Sequence, residues 1–176
     1  MARITVNTTG TAPHIYLTTD VDSGNIFDGS NANSWLSTTS ALDVTCLQDV
    51  TITNSTGVFS WTDFCSIDMN KVTTPADNSI ETNIVIDPVD FFGNSSAGNT
   101  TALFNGVNGL SSNKIEVQFV VVMNGELDTP TANAYYYQGI GYITSVAPTV
   151  SPEAPVWVSP MTIAVDGALS SGQVTS

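Results

Sequence analysis

The chain has 176 residues, with sixteen Asp and Glu against three Lys and Arg, for a net charge of -13. Its length suits one domain with its own core, and a hydrophobic content of 41% excludes a disordered chain. The only cations are Arg3, Lys71 and Lys114, which excludes a surface that grips phosphates, because nucleic-acid affinity comes mainly from Lys and Arg.

Charged residues make up only 11% of the chain, against about 25% in an average soluble domain. The surface is therefore covered by Thr, Ser, Asn and Gly, or buried against other subunits. In chain order, RITVN (3–7) alternates as a strand does, followed by a strand-like run from His14. Residues 20–33 read as a polar loop, and LQDVTIT (47–53) reads as a second alternating strand. Residues 66–79 read as another long polar loop, and NIVI (83–86) as a short β-branched strand. DPVDFF (87–92) suits a helical turn with proline in its first position. Residues 100–107 form the best helix candidate, with Thr100 or Thr101 as the cap and Gly109 as the stop.

The most apolar stretch follows. Ile115, Val117, Phe119, Val121 and Met123 share one strand face, and the opposite face changes from Glu116 and Gln118 to Val120 and Val122. That change predicts a strand covered on both sides at its far end. Asn124-Gly125 is a hairpin turn signal. Residues 135–144 form an aromatic strand with glycines that mark a bulge or bend; residues 154–158 and 161–165 are further strands. No repeat or composition break divides the chain, so residues 1–169 read as one β domain and residues 170–176 as a flexible tail.

Chemistry is sparse. A nucleophile–histidine system would have to use His14, which stands at a strand start with no elbow motif nearby. Cys46 and Cys65 lack the spacing of a zinc site, and no phosphate-binding glycine loop occurs; no cofactor and no enzymatic activity are expected. Asp87 and Asp90 could pair as in a glycosidase, but their spacing around Pro88 is that of a helix N-terminus, and capping is the preferred reading. The segment from Asp20 to Asp28 is rich in oxygen ligands yet lacks EF-hand spacing, and reads as a solvated loop. Trp35, Trp61, Tyr135, Tyr136, Tyr137, Tyr142 and Trp157 could stack on sugars, although such residues more often fill β-protein cores and interfaces. The longest apolar run, residues 119–123, is far too short for a membrane helix. The N-terminal residues lack the apolar core of a signal peptide, so folding in a cytoplasm and free thiols are expected. A disulfide between the two cysteines stays open for an extracellular particle.

The order of segments from residue 87 to 169 resembles the major tail tube proteins of long-tailed bacteriophages. The short helix TALFNGV (101–107) precedes the apolar strand KIEVQFVVV (114–122) and the turn at Asn124-Gly125. YYQGIGYITS (136–145), a proline-rich link and VWVSPMTIAVDGAL (156–169) follow. The link PTVSPEAP (148–155) holds more proline than the family pattern.

The resemblance implies a mainly β protein, a β-sandwich or barrel with one short flanking helix. Six copies would close a ring with a continuous inner β-barrel, and rings would stack into a hollow, acidic-lined tube in the virion tail. DNA would pass in transit without specific binding. Partners would be further copies of the chain and other tail parts such as a terminator, a tape measure, a baseplate and a sheath, with no membrane. A lumen free of cations would present Asp49, Thr51 and Thr53, or Glu116 and Gln118. A loop holding Lys71, Val72, Thr73, Thr74, Pro75, Ala76, Asp77 and Asn78 would reach the neighbouring ring. A tail terminator, a baseplate ring, a capsid decoration protein and a carbohydrate-binding β-sandwich are the alternatives.

Overall fold

A computed structural model describes residues 12–22, 24–62, 69–98, 100–127, 134–153 and 156–175. The elements are β1 (His14–Thr18), α1 (Ala32–Thr39), β2 (Leu42–Val44), β3 (Leu47–Trp61), β4 (Asn70–Val85), α2 (Pro88–Phe92), α3 (Ala102–Ser112), β5 (Glu116–Val122), β6 (Tyr135–Val146) and β7 (Val158–Gln173). The expected strand at residues 3–7 lies outside the described residues.

The seven strands form one antiparallel sheet in the order β2-β1-β5-β6-β7-β4-β3. β2 and β3 stand at opposite edges of that order, yet only Thr45 and Cys46 separate them along the chain. A flat sheet of this width cannot satisfy a two-residue connection when neighbouring strands lie about 4.8 Å apart. The sheet therefore curls until its two edges meet, as in a sandwich. The Val85 amide donates to the Cys46 carbonyl at 3.1 Å and pins this corner.

Curling makes one face the core. Leu42 and Val44 of β2, Ile80 and Ile84 of β4, Val117, Phe119 and Val121 of β5, and Met161 and Ile163 of β7 pack together there, closed by Phe91 of α2 and Val107 and Leu110 of α3. A second, smaller cluster lies on the other face, where α1 covers β1 and β5: Trp35, Phe27, Tyr16, Val120, Val122 and Tyr136. β5 is thus apolar on both sides beyond Gln118, as its sequence predicts. Asp87 caps α2, its Oδ1 accepting from the Val89 amide at 2.8 Å and the Asp90 amide at 3.3 Å; Thr101 caps α3, accepting from the Phe104 amide. The two helices approach through glycines. Gly106 has φ 61°, and a Cβ there would collide with the Gly93 nitrogen.

Several expectations need correction. α1 begins at Ala32, inside the stretch read as a loop, and was not expected. α3 continues past Gly109 to Ser112. Residues 70–79, read as loop, form the first part of β4. Asn124-Gly125 does not close a two-residue hairpin, since β6 starts only at Tyr135; the Asn124 side chain instead accepts from the Tyr135 amide at 3.0 Å. The two strands expected at 154–158 and 161–165 are replaced by β7 alone, which begins at Val158 and runs to Gln173. At the C-terminus, Val174 is buried and donates to the Ala134 carbonyl, while Thr175 donates to the Gly29 carbonyl. These contacts tie down residues that the sequence suggested as a free tail.

Candidate functional site: an acidic sheet face and a projecting arm

The outer face of β6, β7, β4 and β3 carries no helix. Its residues follow from the pairing register. One rung runs Thr51, Glu81, Thr162, Ser145; the next runs Asp49, Asn83, Pro160; a third runs Thr53, Ser79, Ala164, Tyr142, Glu116. The intervening rungs point inward with Ile80, Ile84, Met161 and Ile163. Asp166 extends the same outer face on β7, two positions beyond Ala164. Asp49, Glu81, Glu116 and Asp166 are thus its charges, and no Lys or Arg stands on these rungs. Lys114, in the turn before β5, lies at the margin around a shallow pocket with Tyr142 and Thr144.

Hydrogen bonds stiffen this face. Asp49 accepts from the Asn83 amide and side chain, both at 2.9 Å. The Tyr142 hydroxyl donates to Glu116 at 3.0 Å. That bond, together with desolvation and the nearby Glu116 and Asp166 charges, raises the Tyr142 pKa, so its phenol stays neutral and a donor.

Asp49, Thr51, Thr53 and Glu116 share this one surface. Gln118 belongs to the same strand face, but α1 covers it. It is 2% exposed and accepts from the Trp35 indole at 3.3 Å, which removes it from any open surface of this chain. Glu81 and Asp166 were not anticipated. The alternation Ile80-Glu81-Thr82-Asn83-Ile84 carried the signal for Glu81.

Beyond the rung of Ser79 and Ala164, β4 and β7 separate. β7 continues against β6, while β3 and β4 run on together to the pair Trp61 and Asn70. At ~3.3 Å per residue this two-stranded arm projects about 26 Å. Lys71 to Asn78 lie on it, with a register shift between Thr56 and Val58. Only Asn78 of these eight is buried; its side chain accepts from the Ser55 amide and donates to the Gly167 carbonyl at the base. The arm exposes Val58, Phe59, Trp61, Met69 and Val72, with Phe59 and Trp61 stacked at 5.9 Å.

The chain shares its fold with a tail protein of a gene transfer agent. The match is to a chain in the tail of an empty particle of C6 symmetry, with TM-score 0.53, 14% identity, and 89% of this chain and 93% of that one covered. Chains of the sheath/tube terminator of an extracellular contractile injection system (TM-score 0.49, 14% identity, covering 72% of this chain and 84% of that one) and of an anti-feeding prophage baseplate (0.49, 7%, 100% and 100%) also align. No family model matches the chain. No curated protein matches it.

The remaining candidates resolve into structural roles. His14 lies between Asp43 at 3.0 Å and Glu126 at 3.7 Å and stacks on Tyr16. Asp20 accepts from the Asn25 side chain at 2.7 Å inside its loop. Among the described residues, no group of three His, Cys, Asp or Glu is placed to hold a metal. Of the aromatics considered for sugar stacking, Tyr135, Tyr136 and Tyr137 line one pocket with Met123 and Gln173, while Trp35 is core, Tyr142 bonds Glu116 on the acidic face, Trp61 is on the arm and Trp157 is at the opposite end of the sheet. Cys46 is an exposed thiol; Cys65 lies outside the described residues.

Proposed function

We propose that the chain is a structural tail protein whose six-fold rings stack into a hollow tube, with the acidic outer face of β6, β7, β4 and β3 lining the pore and the β3–β4 arm reaching the next ring. The observation that carries this reading is a helix-free sheet face whose rungs hold Asp49, Glu81, Glu116 and Asp166 and no cation, with Lys114 alone at its margin beside Tyr142 and Ala164. Such a face repels DNA phosphates, so a genome in transit slides instead of binding. The likeness of fold to a chain of a C6-symmetric particle tail supports the ring. A charged fraction of only 11% suits a subunit largely buried in a permanent assembly.

In such a tube the partners are further copies of the chain, capped by a terminator and a baseplate, around a tape measure and within any sheath, and the site of action is the virion tail. Neither catalysis nor a cofactor enters this role. The experiment is electron microscopy of the purified chain at tens of micromolar. Hollow tubes are expected, and a chain that stays monomeric in every salt condition refutes a self-assembling tube. Within particles, the double variant Asp49→Lys, Glu81→Lys is expected to assemble yet slow DNA ejection, most at low ionic strength where screening is weak. Unchanged ejection removes the pore assignment.

A further inference from the structure

Three asparagines precede a glycine in this chain: Asn105, Asn108 and Asn124. In such a pair the main-chain nitrogen of the glycine can attack the asparagine side-chain carbonyl, because no glycine side chain hinders the approach. The structure separates the three. Gly106 and Gly109 lie inside α3. Asn105 Nδ2 donates to the Thr101 carbonyl at 2.9 Å, which holds the group that would have to leave, and Gly106 is packed against Gly93. Asn108 and Gly109 keep helical dihedrals, so the hydrogen-bond ladder holds the glycine amide along the helix axis.

Asn124-Gly125 stands outside every helix and strand, in the bend after β5. Gly125 has φ 152°, a dihedral that glycine adopts freely. Among the described residues, none accepts a hydrogen bond from the Gly125 N–H or from Asn124 Nδ2. Asn124 Oδ1, by contrast, accepts from the Tyr135 amide at 3.0 Å. That bond draws electrons from the side-chain carbonyl and stays in place while negative charge builds on the oxygen. Asn124 is half-buried, so water reaches it. A free nucleophile, a polarised carbonyl and an untethered leaving group thus meet at this pair alone.

We propose that Asn124 is a self-modification site of the folded chain, with water as its only co-reactant. The Gly125 nitrogen gives up its proton and bonds to Asn124 Cγ. The Cγ–Nδ2 bond breaks, ammonia leaves with that proton, and a succinimide ring remains. Water then opens one of the two ring carbonyls to give Asp or isoAsp, with no oxidation or reduction. Either product adds a negative charge in the segment of Glu126. IsoAsp also lengthens the main chain by one atom, beside the bond from the Met123 amide to the Tyr135 carbonyl at 2.9 Å. The end of the β5–β6 pairing is therefore what the modification loosens.

The test incubates the purified chain in mildly alkaline buffer over weeks, beside the same chain in urea. Peptide mass spectrometry reads the change from amide to acid at each of the three asparagines, and an isoaspartate methyltransferase reports isoAsp. In the folded chain Asn124 is expected to react at least about tenfold faster than Asn105 and Asn108, because those must first open their helix locally. In urea the three are expected to react at similar rates, since the fold no longer separates them. Asn124→Gln, which keeps an amide but moves its carbonyl one carbon away, is expected to remove the folded-state signal. The proposal is overturned if folded Asn124 reacts no faster than the two helical asparagines. A folded-state rate at Asn124 far below its own rate in urea overturns it equally, because the fold would then protect the pair.

Discussion

The pair Trp35 and Gln118 decides how the sheet's outer face is divided between covered core and open surface. Both side chains are 2% exposed and share one hydrogen bond of 3.3 Å. Trp35→Phe removes the donor and leaves a buried amide oxygen unpaired, at about 1–3 kcal/mol, and the smaller ring adds about 1 kcal/mol for the void. Gln118→Leu leaves the indole N–H unpaired, again at about 1–3 kcal/mol. With both changes no polar atom of the pair remains, so the double variant should cost little beyond the void. The expected coupling is therefore the sum of the two orphan costs, about 2–6 kcal/mol in favour of the double variant. Urea unfolding followed by far-ultraviolet circular dichroism, below the assembly concentration, reads this directly. At a slope of about 2 kcal/mol per molar urea, the double variant should unfold about 1–3 M later than additivity gives. Costs that add within about 0.5 kcal/mol would mean that the side chains share no buried bond. Gln118 would then be open to solvent, and α1 would not close this part of the face.

Gly106→Ala should destabilise the chain by about 2–5 kcal/mol, combining a positive-φ backbone with a Cβ forced against the Gly93 nitrogen; thermal unfolding measures it, and a loss under 1 kcal/mol would disprove the close α2–α3 approach. Asp90 titrates at about 6 when folded and near 3.8 when unfolded, so its protonated form is favoured by folding and its contribution falls as pH rises from about 4 through 6. Asp90→Asn should remove that slope and stabilise the monomer at pH 7 by about 1 kcal/mol, the two-unit shift being discounted for a half-exposed group; an unchanged pH profile of the urea midpoint contradicts it.

Legibility in the sequence followed burial. β5 was readable because Val120 and Val122 break the polar alternation where α1 covers them. The α2 and α3 starts were readable because Asp87 and Thr101 carry the capping chemistry themselves. α1 was not: Asn31 makes no side-chain cap to the helix, and only Trp35, Leu36, Ala32 and Thr39 give its buried stripe. The arm was unreadable as strand because neither of its faces is buried, so residues 70–77 show no apolar alternation. On the candidate pore face, period two alone placed Asp49, Thr51, Thr53 and Glu116 together. The same rule carried Gln118 with them, because a covering helix from a distant segment leaves no mark on strand periodicity.

The two-residue corner between β2 and β3 also sets an order of folding. β1 with β2 and β3 with β4 are local pairs, available once the first half of the chain exists. Yet these two hairpins are neighbours only at the corner, and the sheet that joins them is β5, β6 and β7 from the second half. His14 waits for Val122, and Val85 waits for Val158. Without the second half of the chain, the β1–β2 and β3–β4 pairs would each have an unpaired inner edge and an apolar face without its partner. Such long-range closure is slow, and open edges invite pairing with other chains. The last strand made, β7, fills the gap between β6 and β4. The outer acidic face is completed in that same step, because Thr162, Ala164 and Asp166 of β7 join it only when the core beneath is sealed.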